Sequence, residues 1–444
     1  MSLTSLMAER TAHGRPIRVG LIGTGKVATL FLAQARHLPA LHVAAVADSD
    51  MERAHTALAL AAWPPAKAVA RSLSEACDNT ATWVSDDAMG MLERPGLEAV
   101  IIACDAAANA AAYALAALDQ HIHVIMASIE ADALVGPFLA EQARAKGLIY
   151  SLAYGDQPAL ICELVDWARA CGFQIAAAGR GIAWKPGYHG LTPDTVWTHL
   201  GISPQQARAK DMDARSATAS LDGSRAALEL ASVANATLLA PPPLGLLFPP
   251  CGTHDLAHVF RPQSQGGRLA HMGVVEAASC LETDGRAVIG GLRWGVFVTF
   301  TTPSAHAAMA FDEYGLSTDD SGTYAARWRP HRLAGLELAL SVANVCLRGE
   351  HSGSPRAFAA DAITIAKRDL RAAEVLDGIG GMTIRGQLLS AQAAQAADAL
   401  PLSLAKGAVL RHPIAEGHAI ALADVLLPDD AQGLLDIRAK MNPP

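Results

Sequence analysis

The sequence holds little that is aromatic: Phe, Trp and Tyr together make up 5% of its 444 residues. It has no run of basic residues, and its formal charge is −8. A nucleic-acid partner needs a positive patch, so that class is excluded. No Cys-x-x-Cys pair occurs among the cysteines at 77, 104, 162, 171, 251, 280 and 346. An odd number without paired spacing reads as reduced, mostly buried thiols rather than a disulfide framework. A long apolar run is also missing. The stretch 230–253 is uncharged but contains Asn235 and five prolines, which no spanning helix tolerates. The opening MSLTSLMAERTAHGRP carries charges where a signal peptide needs an apolar segment. A cytoplasmic protein is expected, with neither a membrane nor a nucleic acid as partner.

What is present is a globular composition, 51% hydrophobic and 18% charged, with length for about three domains of ~150 residues each. Residues 17–22 form an apolar strand, followed by the turn Gly23-Thr24-Gly25 and a helical stretch over 26–35. A second strand, 42–47, ends at Asp48. Strand-like runs at 98–104, 121–126 and 148–152 alternate with helical stretches at 108–118 and 133–146, the latter closed by Gly147. Such alternation specifies an α/β fold with a doubly wound parallel sheet over 1–153.

From Tyr154 the character changes. A helix over 158–171 leads into a segment rich in Gly, Pro, His and Trp (179–201), then a helix over 224–236. A proline-rich loop over 241–250, one or two strands within 288–301 and a helix over 333–348 complete an α+β domain spanning 154–350. Residues 349–355, GEHSGSP, are the expected linker to a compact unit over 355–444.

Gly23-x-Gly25-x-x-Ala28 follows a strand and opens a helix. The first glycine permits a tight turn, the second lets a pyrophosphate reach the backbone, and alanine is accepted at the third position. The helix N-terminus supplies N–H groups to the phosphates. Asp48 closes the second strand, where a carboxylate can bond the ribose hydroxyls. Gly23, Thr24, Gly25, Lys26, Val27 and Asp48, with Cys104 and Ser128, form the expected site for NAD or NADP. Asp48 repels a 2′-phosphate and favours NAD, while Arg53 nearby offsets it.

Three further constellations can carry chemistry. Tyr154-Gly155-Asp156-Gln157 follows the strand over 148–152, where strand ends line the ligand crevice; Asp156 also suits a helix N-cap before Pro158. Lys185-Pro186-Gly187-Tyr188-His189, with Asp194, can polarise a carbonyl and hold an anion, or be a solvated loop. Asp319-Asp320-Ser321, with Tyr324, Arg327 and Arg329, offers carboxylates to a divalent cation and arginines to an anion, or is a polar turn. Cys251-x-x-His254-x-x-x-His258 has metal-like spacing, but no further ligand follows, which disfavours zinc. The tryptophans at 167, 184, 197, 294 and 328 are scattered and read as packing residues.

The run HVIMASIEADALVGPFLAEQARAKGLIYSLAYGDQPALI and the motifs YSLAYGDQPALICELVDWARACGF, TPDTVW, LFPPCG, EYGLSTDDSGTYAA and AKRDLRAAEVLDGIGG carry a resemblance. The chain resembles the homoserine dehydrogenase-like oxidoreductases with an appended SAF domain, and among them the deoxyxylulose phosphate reductoisomerase-like proteins. The resemblance spans nearly the whole chain. It implies a dinucleotide domain, a catalytic domain and a β-rich SAF-type unit from about Pro355. It departs from homoserine dehydrogenases at their two lysines, which fall on Ile129 (beside Glu130) and near Glu229; homoserine is therefore not the expected substrate. Cys104-Asp105-Ala106-Ala107 also replaces the small turn usual beneath the nicotinamide.

The expected function is NAD(P)-dependent oxidoreduction of a small polyhydroxylated or phosphorylated carbonyl compound by a homo-oligomer. In the version the resemblance implies, deoxyxylulose phosphate rearranges to an aldehyde that is reduced to methylerythritol phosphate. A divalent ion, Mg or Mn, would be held by Asp156, Asp319 and Asp320. Lys185, His189 and Arg329 would bind anionic groups and move protons. The alternatives are oxidation or oxidoisomerisation of an unphosphorylated sugar acid or polyol, and a non-catalytic protein that senses the redox cofactor.

Overall fold

The computed structural model describes residues 1–209 and 212–443. They divide into two compact units: 1–160 with 333–356, and 161–332 with 357–444. Among the described residues no helix is long and apolar enough to cross a membrane.

The first unit is built on six parallel strands: β1 (Ile17–Ile22), β2 (Leu41–Ala47), β3 (Trp83–Ser85), β4 (Ala99–Ile102), β5 (His123–Met126) and β6 (Tyr150–Leu152). Their order is β3-β2-β1-β4-β5-β6, the Rossmann arrangement, with its switch point between β1 and β4. β2 and β4 are buried along their whole length, because helices cover both faces of such a sheet. Helix α1 (Lys26–Ala35) turns Ala28, Phe31 and Leu32 into a core shared with Ile17, Leu21, Val46 and Ile101. Leu338 and Val342, from the short helix 338–343, complete that core. The helix expected over 133–146 starts earlier, as α2 (Ile129–Ala145) with Ser128 at its N-cap position.

Residues 349–355 end one residue before the chain passes from the first unit to the second, and they are held by hydrogen bonds within the first unit. Leu152 N–H donates to Gly353 O (2.8 Å), Ser352 N–H to Ser151 Oγ (2.9 Å), and Arg144 to Pro355 O (2.9 Å). The segment is tied beside β6 by the backbone pairing that a buried chain requires.

The second unit carries a mixed sheet of β7 (Gln174–Ile182), β8 (Val274–Ser279), β9 (Val296–Thr301), β10 (Ser317–Thr318) and β11 (Tyr324–Arg329), in the order β10-β11-β9-β7-β8. Strand β7 is rich in alanine and glycine, with Ile175 and Ile182 its only β-branched residues. Its glycine at 179 is required by packing, since a Cβ there would fall 1.6 Å from Glu276 O. Of the expected 288–301 strands only β9 forms; Gly290, Gly291 and Gly295 interrupt the rest.

Helix α3 (Ser224–Thr237) is buried from end to end. It lies against β7 and β8 and also against an antiparallel hairpin, β12 (Ala360–Ala366) with β13 (Ile384–Ser390). Asn235 Oδ1 accepts from Ala359 N–H (2.8 Å) and Ala360 N–H (2.9 Å). Lys367 Nζ lies 2.8 Å from Asp222 Oδ2, both side chains being almost fully buried. Residues 357–444 are therefore part of the second unit's core, although the sequence suggested a separate unit. A helix buried on all sides, with Glu229 and Asn235 among its buried residues, must be covered and its polar groups partnered on every side.

Candidate active site

At the carboxyl edge of the six-stranded sheet the backbone prepares a turn for a ligand. Gly23 adopts φ +88°, and a Cβ there would lie 2.6 Å from Ala103 O. Only glycine fits. Gly25, the N-cap of α1, has an ordinary φ of −66°, and nothing lies within 4 Å of the place a Cβ would take. The space in front of Gly25 is open, at the positive end of α1.

Asp48 accepts from Thr24 N–H (2.8 Å) and Thr24 Oγ1–H (2.6 Å). Arg53 donates to the same carboxylate through Nε (3.1 Å) and Nη2 (2.5 Å). Burial works against the charge of Asp48, but the bonds from Arg53, Thr24 and the Asp50 backbone hold its pKa down at about 2. An acid and an arginine thus stand side by side where a ribose would arrive. Ser128, past β5, is buried, and its Oγ has no hydrogen-bond partner among the described residues. A buried orphan hydroxyl is costly unless something bonds to it. Cys104, past β4, is half-buried, and burial pushes its thiol up to about 11, so it is no thiolate nucleophile. Lys26 and Val27 open α1. Asp156 stands before the helix Gln157–Ala170, where its Oδ1 accepts from Gln157 N–H (3.0 Å).

The other sequence candidates lie in the second unit. Asp319 is buried and spent inside its own turn: it accepts from Arg261, from Ser321 Oγ (2.8 Å) and from the N–H groups of Thr323 and Tyr324 (2.9 Å each). Burial opposes its ionisation, yet these donors hold its pKa below the usual range. Asp320 points to solvent, 89% exposed, with His258 Nε2 3.0 Å from its Oδ1. Among the described residues no three His, Cys, Asp or Glu side chains gather as a metal site. The expected metal site at Asp156, Asp319 and Asp320 is not formed by this donor set: Asp319 is consumed in its own turn, and Asp320 is solvated. Cys251, in the zinc-like spacing, is buried with its thiol pushed up to about 12 by desolvation.

Lys185 places Nζ 5.5 Å from the Tyr188 ring. Arg329 ends β11 opposite Val296. Glu229, where a homoserine dehydrogenase lysine would fall, is fully buried and paired with Arg180 and with Arg225 (2.8 Å). His189 lines a cavity of about 220 Å³, with Gly223, Leu244, Phe248, Arg385 and Gln387. Sequence reasoning missed Arg385 and Gln387. The available signal was the alternation in Ile384-Arg385-Gly386-Gln387-Leu388, which puts Arg385 and Gln387 on the face opposite the buried residues.

Two family models match the chain. Residues 17–127 match the oxidoreductase family, NAD-binding Rossmann fold, and residues 155–338 match the oxidoreductase DRL catalytic domain. No curated protein matches the chain. Solved structures similar to it include a 1-deoxy-D-xylulose 5-phosphate reductoisomerase from Zymomonas mobilis in complex with NADPH. That match is 16% identical over 49% of this chain and 57% of that one, at a TM-score of 0.34. A myo-inositol dehydrogenase from Lactobacillus casei is 18% identical over 41% and 50%, at 0.30. A 3-ketoreductase from Actinomadura kijaniata is 21% identical over 39% and 49%, at 0.26. The chain thus spans about half the length of these structures.

Proposed function

We propose that the protein is a nicotinamide-dependent oxidoreductase that interconverts a carbonyl and an alcohol on a small polyhydroxylated or phosphorylated compound. The observation that carries this reading is the open backbone at Gly25, at the start of α1 and beside the Thr24–Asp48 pair. Gly23 holds the turn, and Gly25 with the first N–H groups of α1 would receive the pyrophosphate. Asp48 would bond the ribose hydroxyls. Arg53 would face a 2′-phosphate if the cofactor is NADP, so both NAD and NADP fit. Ser128 Oγ offers a bond that nothing among the described residues now fills. When bound, the nicotinamide supplies or accepts the hydride.

For proton transfer and anion binding the candidates are Lys185, His189 and Arg329. No metal-dependent step is assigned, because the donor set does not fit an ion. A deoxyxylulose phosphate reductoisomerase-like reaction is one member of the class. The β-rich region after 357 is read as the SAF-type part of a homo-oligomeric protein.

The test is turnover with the purified full chain and both cofactors against a panel of sugar phosphates, deoxyxylulose phosphate, sugar acids and polyols. A substrate-dependent change in nicotinamide absorbance is expected with at least one member. Cofactor binding without turnover of any member would instead favour a cofactor-sensing protein.

A further inference from the structure

The cavity in the second unit has a charge that nothing balances. Arg385 is half-buried on β13, and its guanidinium donates only to Gly386 O, at 3.4 Å. Among the described residues no carboxylate lies within ion-pair reach of it. The nearby acid, Asp222, is already occupied, with Oδ2 held by Lys367 (2.8 Å) and Oδ1 accepting from Ser224 N–H (2.8 Å). A half-buried cation without a counter-ion is poorly compensated unless a ligand supplies one.

The rest of the lining points the same way. The first turn of α3 opens on the cavity through Gly223 and Ala227, and its dipole favours negative charge. Gln387 adds an amide, while Phe248 and the leucines at 244, 246 and 388 form apolar walls. Phe248 is stacked on Trp184 at 4.7 Å, so that wall is fixed. His189 Nδ1 lies 2.8 Å from the Asp222 carbonyl oxygen. A carbonyl only accepts, so Nδ1 carries the hydrogen. Burial, and then the charge of Arg385, lower the His189 pKa. The ring is therefore neutral at pH 7, and its Nε2 is left as an acceptor. An acceptor beside a lone guanidinium suits a hydroxyl next to an oxyanion.

We infer that the cavity formed by His189, Gly223, Phe248, Arg385 and Gln387 binds a small hydroxylated organic anion. The oxyanion lies on the Arg385 fork, which matches a carboxylate or a phosphate, and a neighbouring hydroxyl donates to His189. The volume of about 220 Å³ is below the ~300–1,000 Å³ of drug-sized pockets, which limits the ligand to a few carbons. Both the catalytic-domain segment and the C-terminal hairpin contribute to the site, so the hairpin has a binding role besides covering α3. The inference does not rest on the redox reading, because anion binding is measured without nicotinamide.

The experiment is calorimetry on the full chain with lactate, acetate, glycerol 3-phosphate and inorganic phosphate at constant ionic strength. Saturable binding is expected for lactate or glycerol 3-phosphate, and whichever is tighter tells carboxylate from phosphate. Arg385→Gln should weaken it by ~10- to 100-fold, as loss of a charge-assisted bond does. His189→Phe should remove the preference for lactate over acetate while anion binding persists. If Arg385→Gln does not fold, judged by circular dichroism, Gln387→Leu replaces it, with an expected loss of ~3- to 10-fold. Equal affinity in the wild type and the folded cavity variant, or no saturable binding by the wild type, overturns the inference.

Discussion

Asp48 and Thr24 are joined twice, through the threonine's backbone N–H at 2.8 Å and its hydroxyl at 2.6 Å. The pair locks the glycine turn to the end of β2, so the ligand-facing edge is shaped before any ligand arrives. Ionisation of Asp48 is part of that lock. Its folded pKa of about 2 lies below the ordinary 3.8, so between those values the unfolded chain binds more protons. The stabilisation is present above about pH 4 and is lost as pH falls toward 2; it amounts to about 2 kcal/mol. Urea unfolding of wild type and Asp48→Asn should show a gap at neutral pH that closes in acid. A gap of constant size would contradict the assignment.

The two turn glycines should respond differently to substitution. Gly23→Ala forces a Cβ against Ala103 O in a backbone conformation alanine avoids, at a cost of about 1–3 kcal/mol. Gly25→Val meets open space and should keep its melting temperature, while its side chain takes the pyrophosphate's place. Thermal unfolding and calorimetry with NADH and NADPH separate the two. Unchanged cofactor affinity in Gly25→Val would sink the Rossmann site.

Lys367→Met should be among the most damaging single changes in the second unit. It leaves Asp222 buried without its cation, along with the carbonyls of Leu191 (2.7 Å) and Gly381 (2.8 Å). Breaking such a pair costs about 3–5 kcal/mol. The double variant with Asp222→Asn should recover part of the loss, since the stranded charge is gone. Denaturant unfolding of the set checks this; equal stability of single and double variants would show that the charge is not the cause.

Truncation after Ser354 should not leave a folded catalytic domain. Removing 357–444 uncovers α3, strips Asn235 of two donors and leaves Asp222 unpaired. The shortened chain is expected to lose the second unit's thermal transition and to aggregate. A soluble, cooperatively melting chain ending at 354 would show that the hairpin is dispensable.

Much of the first unit was legible in the sequence. Strand β1 and helix α1 follow directly from an apolar run, two glycines and a 3.6-residue periodicity, and the acid that closes β2 follows from spacing. These are local signals. Strand β7 was not legible, because alanine and glycine carry no strand preference, and Gly179 sits there to let the backbone of β8 come close. The segment 349–355 shows a related limit: Gly, Ser and Pro mark a loop, but only tertiary pairing with β6 shows that this loop is tied down.

The candidate site divides in the same way. By itself the sequence determined the nucleotide turn, since Gly23, Gly25 and Asp48 act within one strand-turn-helix-strand unit. It also named Asp319 and Asp320 as ligands, because adjacent acids look alike whether they bind a metal or fasten a turn. Only the tertiary structure decided that Asp319 is consumed by Arg261 and its own backbone. It likewise decided that His189 meets Arg385, nearly two hundred residues further on, around one cavity. Periodicity and spacing report what neighbours along the chain can do. Where a charge finds or lacks its partner depends on which distant segments the core brings together.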